Sequence, residues 1–235
     1  MIHARTPSSG IAPPTGGEAG LTDFQVNVPV LELPKAYRIA KRVLDVMVAS
    51  VGLVLLAPLM LIIAVAIKLD SSEPVLFRQL RVGRGGKLFW LVKFRTMVKN
   101  AEQMKQQLIA HNEMGDGPVF KMRDDPRITR VGRFLRRYSL DELPQLVQVL
   151  RGEMSLVGPR PPLPSEVAWY ADWEMRRLSV MPGLTCFWQI NGRNNIGFRD
   201  WMELDNIYID TMSFWTDVKI LLYTIPAVIT GKGAC

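Results

Sequence analysis

Asp141 and Glu142 are adjacent carboxylates, preceded by Arg136 and Arg137 and followed by Leu143-Pro144. Two neighbouring carboxylates repel unless a cation intervenes. With guanidinium groups close by they suit chemistry on phosphate. Magnesium takes carboxylate and phosphate oxygens, and phosphoryl transfer is mostly positioning and charge neutralisation. Leu143, Leu146, Val147 and Leu150 follow at helical spacing, which puts both acids at the positive end of a helix dipole. Two capping registers are open. Ser139 and Glu142 form an S-x-x-E box, and Asp141 as the cap would bring Pro144 nearer the first turn, where proline is tolerated. Taken alone, the stretch reads as a capped helix with solvated charges. The rest of the chain raises the chemical reading.

Basic groups are plentiful. Lys121, Arg123, Arg127, Arg130, Arg133, Arg136 and Arg137 crowd one stretch, tempered by Asp124 and Asp125. Arg160 lies between Pro159 and Pro161, which hold its backbone extended. A guanidinium there suits bidentate phosphate binding, although a surface turn explains it too. Lys93 and Arg95 end an apolar run one residue apart, so they are expected to face the same way. Gln189, Asn191, Arg193 and Asn194 close a short apolar segment.

The 235 residues carry a formal charge of +7, which suits an anionic membrane surface, a nucleic acid or phosphorylated substrates. Aromatics do not interleave with the basic stretch as they do in single-strand binders, so nucleic acid is not the expected partner. Cys186 and Cys235 form no disulfide framework or metal pattern, and His3 and His111 lie far from any cluster. Neither a Walker-type loop nor a dinucleotide-binding glycine motif occurs.

The elements that must position these groups follow. Residues 1–34 read as a mobile tail without a signal-peptide core, with some structure near Phe24–Leu33. Residues 46–67 carry no charge and are long enough to span a bilayer. Lys41 and Arg42 precede the run, and Lys68, Arg78, Arg81, Arg84 and Lys87 follow it, so both flanks carry the cytoplasmic signature. Pro58 sits near the middle. A helix that breaks at Ala57-Pro58 and returns to the same face satisfies both facts, making residues 35–70 a re-entrant element. Residues 71–235 then form the remaining domain. Residues 74–96 read as a β-hairpin around Gly83–Gly86, and 97–112 as an amphipathic helix. Residues 165–179, with Trp169, Tyr170 and Trp173 beside Arg176 and Arg177, suit an interfacial helix, and core packing explains the aromatics as well. Residues 198–212 read as a helix with Trp201, Leu204, Ile207 and Tyr208 inward.

Six motifs carry a resemblance: Lys41-Arg42-x-x-Asp45, Lys93-Phe-Arg-Thr-Met97, Asp125-Pro-Arg-Ile-Thr-Arg-Val-Gly132, Ser139-Leu-Asp-Glu-Leu-Pro-Gln145, Met154-Ser-Leu-Val-Gly-Pro-Arg-Pro161 and Trp188-Gln-Ile-Asn-Gly-Arg193. In this order they resemble the bacterial sugar transferases, the monotopic phosphoglycosyl transferases, in their minimal catalytic form, over residues 35–235. The chain departs from the family at Ala57-Pro58, where Ser-Pro is frequent, and at Cys186, where many relatives carry glycine. The resemblance implies a mixed α/β, predominantly helical fold on the cytoplasmic face of the bacterial inner membrane. It implies transfer of sugar-1-phosphate from a UDP-sugar to undecaprenyl phosphate, releasing UMP, as the first membrane step of exopolysaccharide, capsule or O-antigen synthesis. Asp141 matches the family's nucleophile, forming a covalent phosphosugar, and Glu142 its partner at Mg²⁺. Lys93, Arg95, Arg136, Arg160, Gln189 and Arg193 are the expected substrate-binding residues. Spacing alone does not separate Asp141 from Glu142. A basic peripheral membrane or nucleic-acid-binding module without catalysis is the competing reading. The oligomeric state, a homo-oligomer included, is open, and so are the sugar and the polymer it feeds.

Overall fold

One helix organises the chain. In the computed structural model, which describes residues 24, 26–191 and 196–231, α1 (Lys35–Asp70) runs for 36 residues. Among the described residues it alone is long and apolar enough to cross a membrane. A stripe comprising Lys41, Asp45, Ala49, Ile63 and Ile67 is buried against the rest of the protein, while Val54, Leu55, Leu61 and Ile62 are exposed. The expected unwinding at Ala57-Pro58 is not present: α1 stays helical through Pro58. Proline removes one backbone hydrogen bond, but its own φ is helical, so a helix supported on both sides can continue. Both halves of α1 rest on the same folded body. Ala49 and Leu53 join one core with Val149 and Leu156, and Ile63 and Ile67 join another with Phe94 and Leu135.

The charged motif near the start of α1 is a set of staples. Lys41 Nζ donates to the Val157 carbonyl at 2.9 Å and pairs with Asp217 at 2.8 Å. Asp45 accepts from Ser155 Oγ at 3.1 Å and from the Leu156 N–H at 2.9 Å. Arg42 donates to the carbonyls of Val149 and Leu150, each at 2.6 Å. A cation there completes the C-terminal carbonyls of a short helix.

The remainder is mostly helical with two small sheets. Strands β1 (Leu76–Val82) and β2 (Leu88–Phe94) pair antiparallel, Leu76 opposite Phe94 and Val82 opposite Leu88, as the hairpin reading expected. Gly86 in the connecting turn has φ +85, and a Cβ there would lie 1.7 Å from the Val26 carbonyl oxygen. Only glycine lets the preceding segment pass. Phe24 and Val26 are core residues, and the Leu31 N–H donates to the Ser179 carbonyl at 3.0 Å. The described part of the expected tail is therefore docked on the domain.

Helix α2 (Ala101–Leu108) is followed by α3 (Arg130–Arg137) and α4 (Leu146–Arg151). Strand β3 (Ser155–Val157) pairs in parallel with β4 (Gly183–Thr185). Residues 165–179 do not form a single interfacial helix. They make α5 (Pro164–Val167), α6 (Asp172–Met175) and a 3₁₀ turn at Arg176–Ser179, with Tyr170 wholly buried. Two capping carboxylates divide the segment: Glu166 accepts from the Leu163 N–H and Glu174 from the Ala171 N–H. Beyond α7 (Phe187–Ile190), α8 (Phe198–Asp210) buries Trp201, Met202, Asp205, Tyr208 and Ile209. Ile207, expected inward, is 50% exposed, because the buried stripe is centred on Asp205. Helix α9 (Phe214–Thr230) completes the described structure.

The Lys41–Asp217 pair is nearly dry, and truncating one partner leaves the other charge buried. Lys41→Met is expected to destabilise the fold by about 3 kcal/mol. Equilibrium denaturation in detergent measures it, and an unchanged midpoint would show that the staple contributes nothing.

Candidate active site

Helix α3 is capped by Thr129, whose Oγ1 accepts from the Gly132 N–H at 3.0 Å. A Cβ at Gly132 would lie 2.1 Å from the Thr96 carbonyl oxygen, so glycine lets α3 sit directly on the strand-end backbone. Arg136 Nε then donates to Thr96 Oγ1 at 2.9 Å. After α3, Ser139 adopts a left-handed conformation with φ 53 and no capping bond from its side chain. Neither capping register forms. Instead Leu140–Gln145 is a 3₁₀ turn leading into α4. With three residues per turn, Leu140 and Leu143 eclipse and pack together on the Phe94–Leu135 core. Asp141 and Glu142 are left to line a cleft of about 340 Å³. Asp141 is only 6% exposed.

The cleft gathers most of the residues singled out by sequence. Lys93, Arg136, Asp141, Glu142, Arg160 and Gln189 all line it. Arg160 Nη1 approaches Glu142 Oε1 at 3.5 Å. Arg95 does not line it. Its Nε donates to the Pro74 carbonyl at 2.8 Å and its guanidinium lies 5.5 Å from the Phe77 ring centroid. Arg95 does face the same way as Lys93, whose Nζ lies 5.8 Å from the same ring, but its guanidinium is held beside Pro74 at the strand end. Arg193 lies outside the described residues.

Sequence reasoning missed Arg81. It lines the cleft from β1 and is buried. Its Nη2 donates to Gln79 Oε1 at 2.7 Å, and its Nε has no protein partner among the described residues. A signal was available: Gln79 and Arg81 share the strand face of Phe77, whose cross-strand partner is Lys93.

Arg160 is held by its backbone. Four consecutive carbonyls of its loop accept hydrogen bonds: Pro159 from the Gly183 N–H at 2.9 Å, Arg160 from Arg177 Nη2 at 2.8 Å, Pro161 from Arg81 Nη1 at 2.9 Å and Pro162 from the Val82 N–H at 2.9 Å. Arg177 is itself fixed by an ion pair with Asp205 at 2.8 Å, both side chains 1% exposed. Burial raises the Asp205 carboxyl to about 6, against the opposing pull of Arg177.

The cations strain against one another. Burial, followed by the Arg136 charge, lowers Lys93 to about 8, while Asp141 opposes the shift. Burial lowers Arg136 as well, with Asp141 opposing. Arg81 falls to about 10 through burial, and Arg160 adds to the fall while Glu166 opposes it. Such a cluster is suited to a ligand with several negative charges.

The chain matches the bacterial sugar transferase family over residues 36–231. It belongs to that family. It is 47% identical over 223 residues to the galactosyl transferase CpsE of Streptococcus agalactiae, covering 93% of this chain and 49% of that protein. It is 39% identical to the undecaprenyl-phosphate galactose phosphotransferase of Salmonella typhimurium, covering 85% of this chain and 42% of the relative. With the UDP-glucose:undecaprenyl-phosphate glucose-1-phosphate transferase of Caulobacter vibrioides the identity is 43%, over 86% of this chain and 74% of the relative. The chain thus spans less than half the length of the first two.

Lys93 holds its proton below about pH 8 and loses it above. Affinity for a nucleoside diphosphate, whose terminal phosphate is already ionised there, should fall as pH rises through that value. Titration calorimetry across the window tests this, with Lys93→Gln expected to flatten the dependence. A flat profile in the unsubstituted protein would remove Lys93 from ligand binding.

Proposed function

We propose that the protein transfers sugar-1-phosphate from a UDP-sugar to undecaprenyl phosphate, releasing UMP, as the first membrane step in building an exopolysaccharide, capsule or O-antigen. One observation carries the reading: Asp141 and Glu142 line a cleft shared with Arg81, Lys93, Arg136 and Arg160. Carboxylates among guanidinium groups suit a nucleophile that must approach an anionic diphosphate. The names of the Salmonella and Caulobacter relatives support the acceptor and the group transferred.

Asp141 attacks the phosphorus that bears the sugar. The bond from that phosphorus to the bridging oxygen breaks, UMP leaves, and an aspartyl phosphosugar remains. An oxygen of the lipid phosphate then attacks the same phosphorus, the bond to Asp141 breaks, and the carboxylate is regenerated as the lipid diphosphate sugar forms. Arg136 and Arg160 orient the phosphates, and Lys93 and Arg81 add charge at the cleft wall. Gln189 contributes an uncharged polar group.

Glu142, with Asp141 beside it, would hold Mg²⁺. Among the described residues no cluster of three acidic, His or Cys side chains could cage a metal. That donor set fits an ion that takes one or two carboxylates and completes its shell with water and substrate phosphate. Bound there, Mg²⁺ would neutralise diphosphate charge.

Helix α1 supports a membrane location. Its exposed apolar side chains suit a lipid environment, and both its halves rest on the one folded body. This supports a monotopic anchor on the cytoplasmic face, where basic flanks on both sides belong.

Supplying UDP-sugar without lipid should leave a sugar phosphate covalently bound to Asp141, detected by mass spectrometry of the intact and digested protein. Asp141→Asn should form no adduct, and EDTA should abolish transfer until Mg²⁺ is restored. An adduct mapping to Glu142, or normal turnover in Asp141→Asn, would reject the assignment.

A further inference from the structure

Glu166 lines the same cleft as Arg81 and takes no part in the transfer described above. It is the third residue of α5, and its Oε2 accepts from the Leu163 N–H at 2.8 Å. Capping accounts for one oxygen only. Oε1 has no hydrogen-bond partner among the described residues, although the residue is just 9% exposed. Buried polar atoms ordinarily have a partner. Arg81 has donors left over. Two of its N–H groups are engaged, with the Pro161 carbonyl at 2.9 Å and Gln79 Oε1 at 2.7 Å, and the others have no acceptor among the described residues. The Gln79 amide nitrogen, on the same cleft wall, has none either. Glu166 gives the Arg81 charge its largest electrostatic support, yet the two form no ion pair. Donors and an acceptor thus stand close without meeting.

Charge limits what fits between them. The carboxylate repels a phosphate, and the guanidinium repels a metal ion. A hydroxyl suits both, donating to Glu166 and accepting from Arg81. The neighbouring wall is aromatic. Trp188 and Trp201 line the cleft with ring centroids 4.8 Å apart, and Val167, next to Glu166, shares their core. The face of an aromatic ring is negative and attracts C–H groups. A saturated ring with hydroxyls on its rim and C–H bonds on its face matches the polar groups and the aromatic wall together.

We propose that Glu166, Arg81 and Gln79 form a hydroxyl-reading site for a sugar ring of the donor, a step that rests on the UDP-sugar reading above. The ribose and the transferred sugar both offer that chemistry. Arg81 ties the site to the reaction, since it shares the cleft with Glu142 and Arg160. A ring held by Glu166 therefore keeps its phosphates among the cations that face Asp141. A site built around hydroxyls also rejects a ring that lacks them, because its polar groups are then left unpaired.

Titration calorimetry tests this with pyrophosphate, UDP, its 2′- and 3′-deoxy analogues, UDP-glucose and UDP-galactose, in an Asp141→Asn background that binds without reacting. Glu166→Gln keeps an oxygen for the Leu163 N–H and loses the charged acceptor. Charge alone predicts tighter anion binding after that change, because a negative group leaves the cleft. A loss therefore reports a hydrogen bond. Pyrophosphate has no ring and should bind the Glu166→Gln protein at least as well as before. Weakening of UDP on the order of thirtyfold, with one deoxy analogue insensitive, assigns the site to the ribose. The same weakening confined to UDP-glucose or UDP-galactose assigns it to the transferred sugar. The proposal is overturned if no ligand with a ring binds more weakly. It is also overturned if pyrophosphate weakens equally, which would make Glu166 only a prop for the Arg160 loop. If UDP and both UDP-sugars fail to bind before Glu166 is changed, the donor itself is rejected and the site with it.

Discussion

Arg177 and Asp205 form an ion pair sealed from water, and the position of Arg160 depends on it. A buried pair gives little net stability, because desolvation offsets most of the attraction. It does provide a guanidinium that cannot move. Arg177 spends one arm on the Arg160 carbonyl, and Arg81 does the same for Pro161. A loop rich in proline has few N–H groups with which to tie itself down, so its carbonyls must be held from outside. The Arg160 side chain then stands near Glu142 without searching for its rotamer from a mobile base.

The chain thus uses its cations in three ways. Lys41 and Arg42 join α1 to the domain through buried carbonyls and Asp217. Arg177 braces a loop. Arg81, Lys93, Arg136 and Arg160 surround the cleft, where burial and mutual repulsion leave them short of negative charge. The excess of basic residues is not spread evenly over a solvated surface. Lys41, Arg81, Arg127 and Arg177 are buried, and Arg81 serves in both roles, holding the Pro161 carbonyl and lining the cleft.

How much of this was legible varied with the kind of signal. The hairpin was visible because apolar residues and glycines punctuate it directly. Asp141, Glu142 and Arg160 stood out because they sit in short, unusual local contexts. Arg81 was hidden in a strand that reads as ordinary, and Arg95 shares the Phe77 face with Lys93 yet is turned to the Pro74 carbonyl, which alternation alone does not record. Asp205 and Glu174 are buried carboxylates, and a periodicity built on apolar residues has no means of placing them inside. The continuity of α1 through Pro58 and the 3₁₀ turn at Leu140 depend on tertiary support that no local propensity records. The capping box at Ser139 was a sound local reading overridden by a left-handed backbone.

The strap formed by Phe24, Val26 and Leu31 has a consequence for the order of assembly. It crosses the hairpin turn at Gly86 and ends against Ser179, so it docks on surfaces made by chain far downstream. On the ribosome it emerges before those surfaces and must wait for them. Helix α1 follows it, and its staples bind Val157 and Asp217, which are also made late. During that interval the apolar surface of α1 has no protein to cover it. On the membrane location proposed above, a bilayer close to the ribosome supplies the missing cover, so capture by lipid precedes completion of the fold, and the domain is built onto a helix already held at the surface where it will work.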